Sequence, residues 1–247
     1  MTLSLLHWNI WCHEKPANVL KLLQGVKPDI ACLQELTQNY PRTDYIDVPK
    51  YLATSLGYNY HFVSASSKPK NRGLAHQGNG IFTKFPIITK SHTFVQRPST
   101  QTNDYAKEGR VTVITDIRVG ESHLTVATTH LSYTHRFQET KAKLTEENHL
   151  LTSIKPYPNN FILTGDFNVD EHSQLIHQLE KNFTNVGPDY SHKTWTTKPF
   201  DYNGFHEENL HWRLDHIFAT KDIKVISSQI LSTPFSDHLP IFITVDL

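Results

Sequence analysis

The sequence predicts an α/β (α+β) fold in which sheets are covered by helices, and three observations lead there. Period-two alternation of apolar and polar residues dominates the chain. Four stretches with helical spacing fall between the alternating ones. The two kinds do not alternate strictly, which disfavours a barrel of repeated strand-helix units. Hydrophobic residues make up 38% of the 247, enough for a buried core. No internal repeat, low-complexity tract or linker divides the chain, so residues 1–247 are read as a single domain.

Strands are expected, in order, at 3–11, 30–36, 58–65, 80–85, 110–118, 124–131, 160–165, 214–219 and 241–245, each an alternating or apolar run bounded by turn residues. Helices are expected at 16–24, Val48–Leu56, 137–154 and 174–181. The leucine, lysine and glutamate pattern over 139–151 predicts an amphipathic helix facing outward. Residues 64–78 and 96–107 read as polar loops, and 187–208 as a loop rich in aromatics.

Bulk properties exclude several classes. No apolar run approaches the roughly 20 residues that span a bilayer, so no transmembrane segment is expected. The opening Met1-Thr2-Leu3-Ser4-Leu5-Leu6 has no basic region or small-residue cleavage site and reads as a strand; a cytoplasmic location follows as an expectation. Cys12 and Cys32, both in strand-like context, are expected to be reduced core thiols. Lys plus Arg equals Asp plus Glu at 24 each, which argues against a general duplex nuclease with a basic face while leaving room for a local basic groove. With 16 histidines in the chain, a lone histidine signals nothing.

The chemistry-bearing residues sit at strand edges. Gly165-Asp166-Phe167-Asn168 follows the apolar run Phe161-Ile162-Leu163-Thr164; the glycine would turn the chain sharply as it leaves the sheet. The carboxylate can position and deprotonate a water, and the amide can donate to a phosphoryl oxygen; an Asx turn near a helix start explains the same residues equally well. Ser236-Asp237-His238 precedes the last strand, where an acid beside a histidine can hold a phosphate or a metal, or the histidine can be satisfied by backbone. In Arg213-Leu214-Asp215-His216, Asp215 can fix the tautomer of an imidazole, or the charges can face solvent. His130 closes the strand ending Thr128-Thr129. Glu35 closes 30–34, a good position for a hard-cation ligand or for a helix-start acid. Asn9 can support that ligand or form a turn. Six polar residues at apolar strand ends, Asn9, Glu35, His130, Asp166, Asn168 and His238, are better explained by one shared rim than by coincidence.

Taken in order, Trp8-Asn9-Ile10, Gln34-Glu35, Gly78-Asn79-Gly80-Ile81, Thr129-His130-Leu131, Gly165-Asp166-Phe167-Asn168, Leu214-Asp215-His216-Ile217-Phe218 and Ser236-Asp237-His238 resemble the endonuclease/exonuclease/phosphatase (DNase I-like) family nearly end to end. The resemblance implies a four-layer α/β/β/α sandwich with two mostly antiparallel sheets and helices outside. It implies magnesium, or manganese in its place, held by Glu35 with Asn9 and approached by Asp237. Asp166 would orient the attacking water, Asn168 bind the scissile phosphate, and His238, paired with Asp215, contact a phosphoryl oxygen. His130 would contact phosphate or protonate the leaving group. Asn79 and Arg110 would orient His130 and bind phosphate.

The segment from Lys193 to Thr197, with Asn209 to Asp215, is similar to the tyrosyl-DNA phosphodiesterase branch. There Trp195 and Trp212 can form a wall on which a base or apolar ring stacks, or can be ordinary loop packing. The expected substrate is a nucleic-acid or nucleotide phosphodiester, single-stranded or end-like. A small or lipid-headgroup phosphoester, or a catalytically inert binding relative, stands as the alternative.

Overall fold

The structure, a computed structural model, describes residues 1–99 and 107–247. Its strands are β1 (Thr2–Asn9), β2 (Ile30–Gln38), β3 (Asn59–Lys70), β4 (Gly73–Thr83), β5 (Ile87–Gln96), β6 (Arg110–Val119), β7 (Ser122–His130), β8 (Phe161–Asp166), β9 (Thr184–Asn185), β10 (Phe200–Tyr202), β11 (Phe205–Glu207), β12 (Asp215–Ala219), β13 (Lys224–Ile230) and β14 (Ile241–Asp246). The helices are α1 (Pro16–Val26), α2 (Val48–Leu56), α3 (Lys141–Ile154) and α4 (Gln174–Asn182).

Two six-stranded sheets stack face to face. One has the order β13-β14-β1-β2-β4-β3, the other β5-β6-β7-β8-β12-β9, and β10-β11 form a separate hairpin. Each sheet has one parallel pair at its centre, β1 with β2 and β7 with β8, among antiparallel neighbours. Three apolar layers follow from the alternation. Leu3, Leu5, Ile30 and Cys32 meet Val113, Val126, Ile162 and Ile217 between the sheets. On the outer face of the first sheet, Leu6, Trp8 and Leu33 pack with Val19 and Leu23 of α1 and Leu52 of α2. On the outer face of the second, Ala127, Phe161 and Leu163 pack with Leu150 and Ile154 of α3 and Leu175 and Leu179 of α4. The four-layer sandwich is therefore the observed architecture.

Some expectations need correction. Residues 64–78 are not a loop: β3 and β4 stay paired, β4 remains beside β2 as far as His76, and beyond it the two strands run on as an arm turning at Asn71 and Arg72. Its residues are polar because most of this ribbon faces solvent rather than a layer. Of the loop expected at 96–107, residues 100–106 lie outside the described residues. The aromatic stretch 187–208 contains both β10 and β11. Strands β5 and β13 were not anticipated; both are edge strands with largely exposed side chains, so burial imposed little alternation. Cys32 is buried in β2, but Cys12 lies in the turn after β1; both thiols are free.

Helix α3 also differs. Its inner face carries charge as well as leucine: Lys143, Glu146 and Glu147 are all buried. Lys143 Nζ donates to the carbonyls of Ser132 and Phe167, both at 2.7 Å. Glu146 accepts from the Ser132 N–H at 3.1 Å. The helix thus clamps the segments following β7 and β8, where loop carbonyls and N–H groups would otherwise be buried without partners. Burial pushes the Lys143 ammonium down to about 8 and Glu147 up to about 7.

Candidate active site

The interior face of each central strand changes character along its length. β1 points Leu3 and Leu5 into the sandwich and then His7 and Asn9; β2 follows Ile30 and Cys32 with Gln34; β8 follows Ile162 with Thr164 and Asp166. β12 runs antiparallel to β8 and so presents Asp215 first, then Ile217 and Ala219. The polar ends therefore coincide. Asp166 pairs in register with Asp215 on one side and His130 on the other. The six strand-end residues come together at this rim.

Glu35 sits where β2 bulges between Leu33 and Leu36, in the left-handed region at φ 60°. A non-glycine residue held there is strained, and bulges commonly re-aim a side chain at a site. The main-chain N–H of Cys12 donates to Glu35 Oε2 at 2.8 Å. Asn9 Nδ2 donates to Glu35 Oε1 at 3.3 Å and to Asp166 Oδ2 at 2.9 Å, while Asn9 Oδ1 accepts from the Trp11 N–H at 3.1 Å. One amide thus joins a carboxylate of the first sheet to one of the second. Asp237 is half-buried, and its carboxyl is pushed up by burial and by the charge of Glu35.

Asp166 is buried and raised to about 7, by desolvation first and by Asp215 next, against the lowering influence of His238. Its Oδ1 accepts from the Asn168 N–H at 3.0 Å, an Asx turn. The turn and the chemical reading coexist, because Oδ2 faces the rim, 3.4 Å from His130 Nε2 and 3.6 Å from His238 Nε2. The helix nearby is capped by Ser173 instead. Gly165 is not a turn residue: it lies within β8, and a Cβ there would come within 2.3 Å of the Phe167 ring. Asn168 holds φ 49°, which Asn tolerates. Its amide reaches the Leu131 carbonyl at 2.9 Å and His130 Nε2 at 3.1 Å. Burial, with Arg110 nearby, holds His130 well below the ordinary imidazole range, so it is neutral.

His238 is the opposite case. Burial disfavours its charge, but Asp215, Asp166 and Asp237 outweigh that and raise it well above the ordinary range. Its Nδ1 lies 2.8 Å from Asp215 Oδ2. Asp215, fully buried, is held far below the carboxylate range despite desolvation, by His238 and His7. Its other oxygen accepts from His7 Nε2 at 2.9 Å. Behind His7, Gln34 Nε2 lies 3.4 Å from His7 Nδ1 and donates to Thr128 Oγ1 at 2.7 Å, which also receives Thr164 Oγ1 at 2.8 Å. A buried polar chain thus crosses from sheet to sheet and ends at the rim.

The remaining expected residues divide. Asn79 and Arg110 line one cleft with Glu35 and His130. Asn79 is tied to the backbone, donating to the Val111 carbonyl at 2.8 Å, and orients β6 rather than His130. Arg110 lies 3.5 Å from Glu108 and acts on His130 through its charge. Trp195 is only 3% exposed; it packs with Phe137, Phe200 and Phe205, and its Nε1 donates to Asp237 Oδ2 at 3.3 Å. It supports Asp237 rather than offering a stacking face. Trp212 is half-buried against Phe137 and donates to Glu207.

His7, Gln34, Lys143 and Arg213 were not anticipated. His7 and Gln34 do carry a signal, since each falls in phase with buried apolar residues on its strand. Arg213 is fully buried and donates to the carbonyls of Asp215, His192 and Pro188, fixing the approach to β12.

The donor set fits a hard divalent cation. Glu35, Asp237 and Asp166 offer oxygen, and two of these carboxyls are raised by burial and neighbouring acid, a cost that a cation offsets. Asp166, Asp215 and His238 also converge within 4.8 Å. There, however, both Asp215 oxygens are engaged by imidazoles and the cationic His238 repels a metal, so the Glu35 side suits the ion better.

The sequence matches the model of the "Endonuclease/Exonuclease/phosphatase family" over residues 6–238. No curated protein sequence matches it. Solved structures with the same fold include a Bacteroides thetaiotaomicron mannosyl-6-phosphatase (21% identity, TM-score 0.70, covering 99% of this chain and 100% of that one). The human Nocturnin catalytic domain with bound sulfate is similar (19%, 0.72, 99% and 93%). So is a humanized D. rerio TDP2 (18%, 0.69, 100% and 99%).

Proposed function

The chain belongs to the endonuclease/exonuclease/phosphatase family, whose phosphoester-hydrolase chemistry it shares, and from that premise we propose that it hydrolyses a phosphodiester of a nucleic acid or nucleotide with the help of magnesium. The observation that carries this reading is the bridge by Asn9 between Glu35 and Asp166, two carboxylates from opposite sheets, beside the imidazolium of His238.

Glu35 and Asp237 would hold the cation, with Asn9 steadying Glu35; manganese can replace magnesium. When bound, the cation supplies charge neutralisation at the phosphoryl group. Asp166, near neutrality in its proton affinity, takes the proton of the attacking water. The water oxygen bonds to phosphorus, and the leaving oxygen departs with its electron pair. His238, kept protonated by Asp215, donates to a phosphoryl oxygen as negative charge grows there, and the Asn168 amide adds a second donor. Neutral His130 contacts the phosphate and is a poor proton source for the leaving group. The reading assigns the reaction to the cytoplasm, where Cys12 and Cys32 stay reduced.

The test is a magnesium-supplemented panel of a DNA oligonucleotide, a 5′-tyrosyl oligonucleotide, a bis-aryl phosphate and inositol phosphates. Phosphodiester cleavage is expected. Turnover of phosphomonoesters alone would overturn the reading in favour of a phosphatase, and no turnover of any ester would favour an inert binding relative.

A further inference from the structure

Residues 48–103 contain seven lysines or arginines and no aspartate or glutamate, in a chain whose overall charge is zero. Within this acid-free run lie β3 and β4, which build the arm. The base of the arm is part of the active-site cleft: Ala65, Ser66, Gln77 and Gly78 line it together with Glu35 and His130. Farther out, Lys70 and Arg72 are exposed. The arm is not loose. Asn39, just past β2, donates to the carbonyls of Arg72 and Leu74 at 2.9 and 3.0 Å, and the Arg72 guanidinium lies 4.1 Å over the Tyr45 ring.

Aromatic rings adjoin the same cleft. The turn after β1 caps it directly: the Trp11 N–H binds Asn9 and the Cys12 N–H binds Glu35. From that turn the half-buried rings of Trp11, His13 and Tyr40 follow in series, with centroid separations of 5.3 and 6.5 Å. Cations flank the series, Lys198 Nζ 5.6 Å over Trp11 and Arg42 Nη1 3.4 Å from His13 Nδ1. Rings beside cations, in a shallow surface leading to a phosphoester site, match the chemistry of an unpaired nucleic-acid strand. Its bases offer ring faces and its phosphates offer regularly spaced negative charge. The arm beyond the sheet carries Lys68, Lys70 and Arg72 and no carboxylate, a charge pattern that attracts a polyanion, although Lys68 is held by Glu108.

We propose that the β3–β4 arm and the Trp11–His13–Tyr40 rings form a binding track for single-stranded nucleic acid flanking the scissile phosphate, the rings stacking on bases and Lys70, Arg72 and Arg42 following phosphates. The inference rests on the phosphodiesterase reading above.

The experiment separates the two. Wild-type hydrolysis of bis-p-nitrophenyl phosphate with magnesium reports on the catalytic centre, and absence of turnover sinks the underlying reading. Binding is then measured with the Asp166→Asn protein and fluorescein-labelled oligodeoxynucleotides of two, four, eight and twelve residues. Affinity should rise with length and fall with salt. Lys70→Glu with Arg72→Glu should weaken binding of the twelve-mer by more than tenfold and flatten the logarithmic salt slope by about 1.4, near 0.7 per phosphate contact. Both side chains are exposed, but Arg72 also rests on the Tyr45 ring, so a small fall in melting temperature is expected from the pair, and Lys70→Glu alone is the control that should leave it unmoved. Trp11→Ala should weaken binding on the order of tenfold. An active enzyme whose affinity ignores length, or is untouched by the paired charge reversal, overturns the track alone. So does tighter binding to a matching duplex, or a preference for phosphatidylserine vesicles over the oligonucleotide.

Discussion

His7 and His238 hold the same carboxylate from opposite sides, His7 Nε2 at 2.9 Å from Asp215 Oδ1 and His238 Nδ1 at 2.8 Å from Asp215 Oδ2. Each comes from the first sheet or its connections, whereas Asp215 belongs to the second. The pairing therefore fixes an imidazole and fastens the two layers together at the rim.

His7→Phe keeps the ring volume and removes the donor. Loss of a hydrogen bond to a buried charge costs about 2 kcal/mol, and a fall in melting temperature is expected. Turnover should fall about tenfold with little change in KM, because His238 loses a fixed partner while substrate contacts remain. His7→Gln, which can still donate, should recover part of the turnover. Steady-state kinetics and thermal melts of both variants check this; equal turnover in His7→Phe and wild type would reduce His7 to packing.

Asp166→Asn should lower turnover by at least a thousandfold and yet stabilise the metal-free protein above neutral pH. The sign follows from its raised affinity for a proton. A carboxyl held at about 7 in the folded chain and near 3.8 when unfolded favours folding while protonated, and that stability is lost as pH rises from about 4 through 7. Removing the ionisation removes the loss. Melting curves at pH 5 and pH 8.5 in EDTA should show the variant gaining at both, and by more than twice as much at the higher pH.

The same residue sets the acid side of the rate profile. kcat/KM should fall as pH drops through the Asp166 titration, at or below about 7, since a bound cation nearby favours the carboxylate. A pH–rate profile that stays flat from 5 to 8 would remove Asp166 from the role of base.

Thorough chelation should abolish turnover, and magnesium or manganese should restore it. Glu35→Gln should keep the fold, since a glutamine can still accept from Cys12, and should raise the metal concentration needed for half activity by more than tenfold. A metal titration of wild type and variant reads this out.

Lys143→Met removes the clamp on Ser132 and Phe167 and leaves Glu146 and Glu147 buried without their cation. Breaking a buried charged cluster from one side costs about 3 kcal/mol, measurable by urea denaturation. Turnover should fall as well, because the loosened segments follow His130 and carry Asn168.

The core strands and helix α2 were legible because burial on alternating or helical faces writes a period into the sequence; α2 is found at Val48–Leu56 as expected. The edge strands β5 and β13 lacked that period. The site's membership was legible from polar residues closing apolar strands, but its wiring was not. That Asp215 faces His7 as well as His238 depends on which strands of two stacked sheets lie opposite, and no local pattern encodes a partner 208 positions away. The aromatic stretch left two readings of Trp195 open, a stacking wall and ordinary loop packing; Phe137, Phe200 and Phe205 close around it into a small core of its own, so it is packing.

β1 and β14 lie side by side, so the rim joins segments far apart in the order of synthesis. Once Asn9 has left the ribosome, more than two hundred further residues must be made before His238 can stand across from it. A nascent chain therefore has no working centre, and the enzyme becomes able to cut phosphoesters only when it closes on itself.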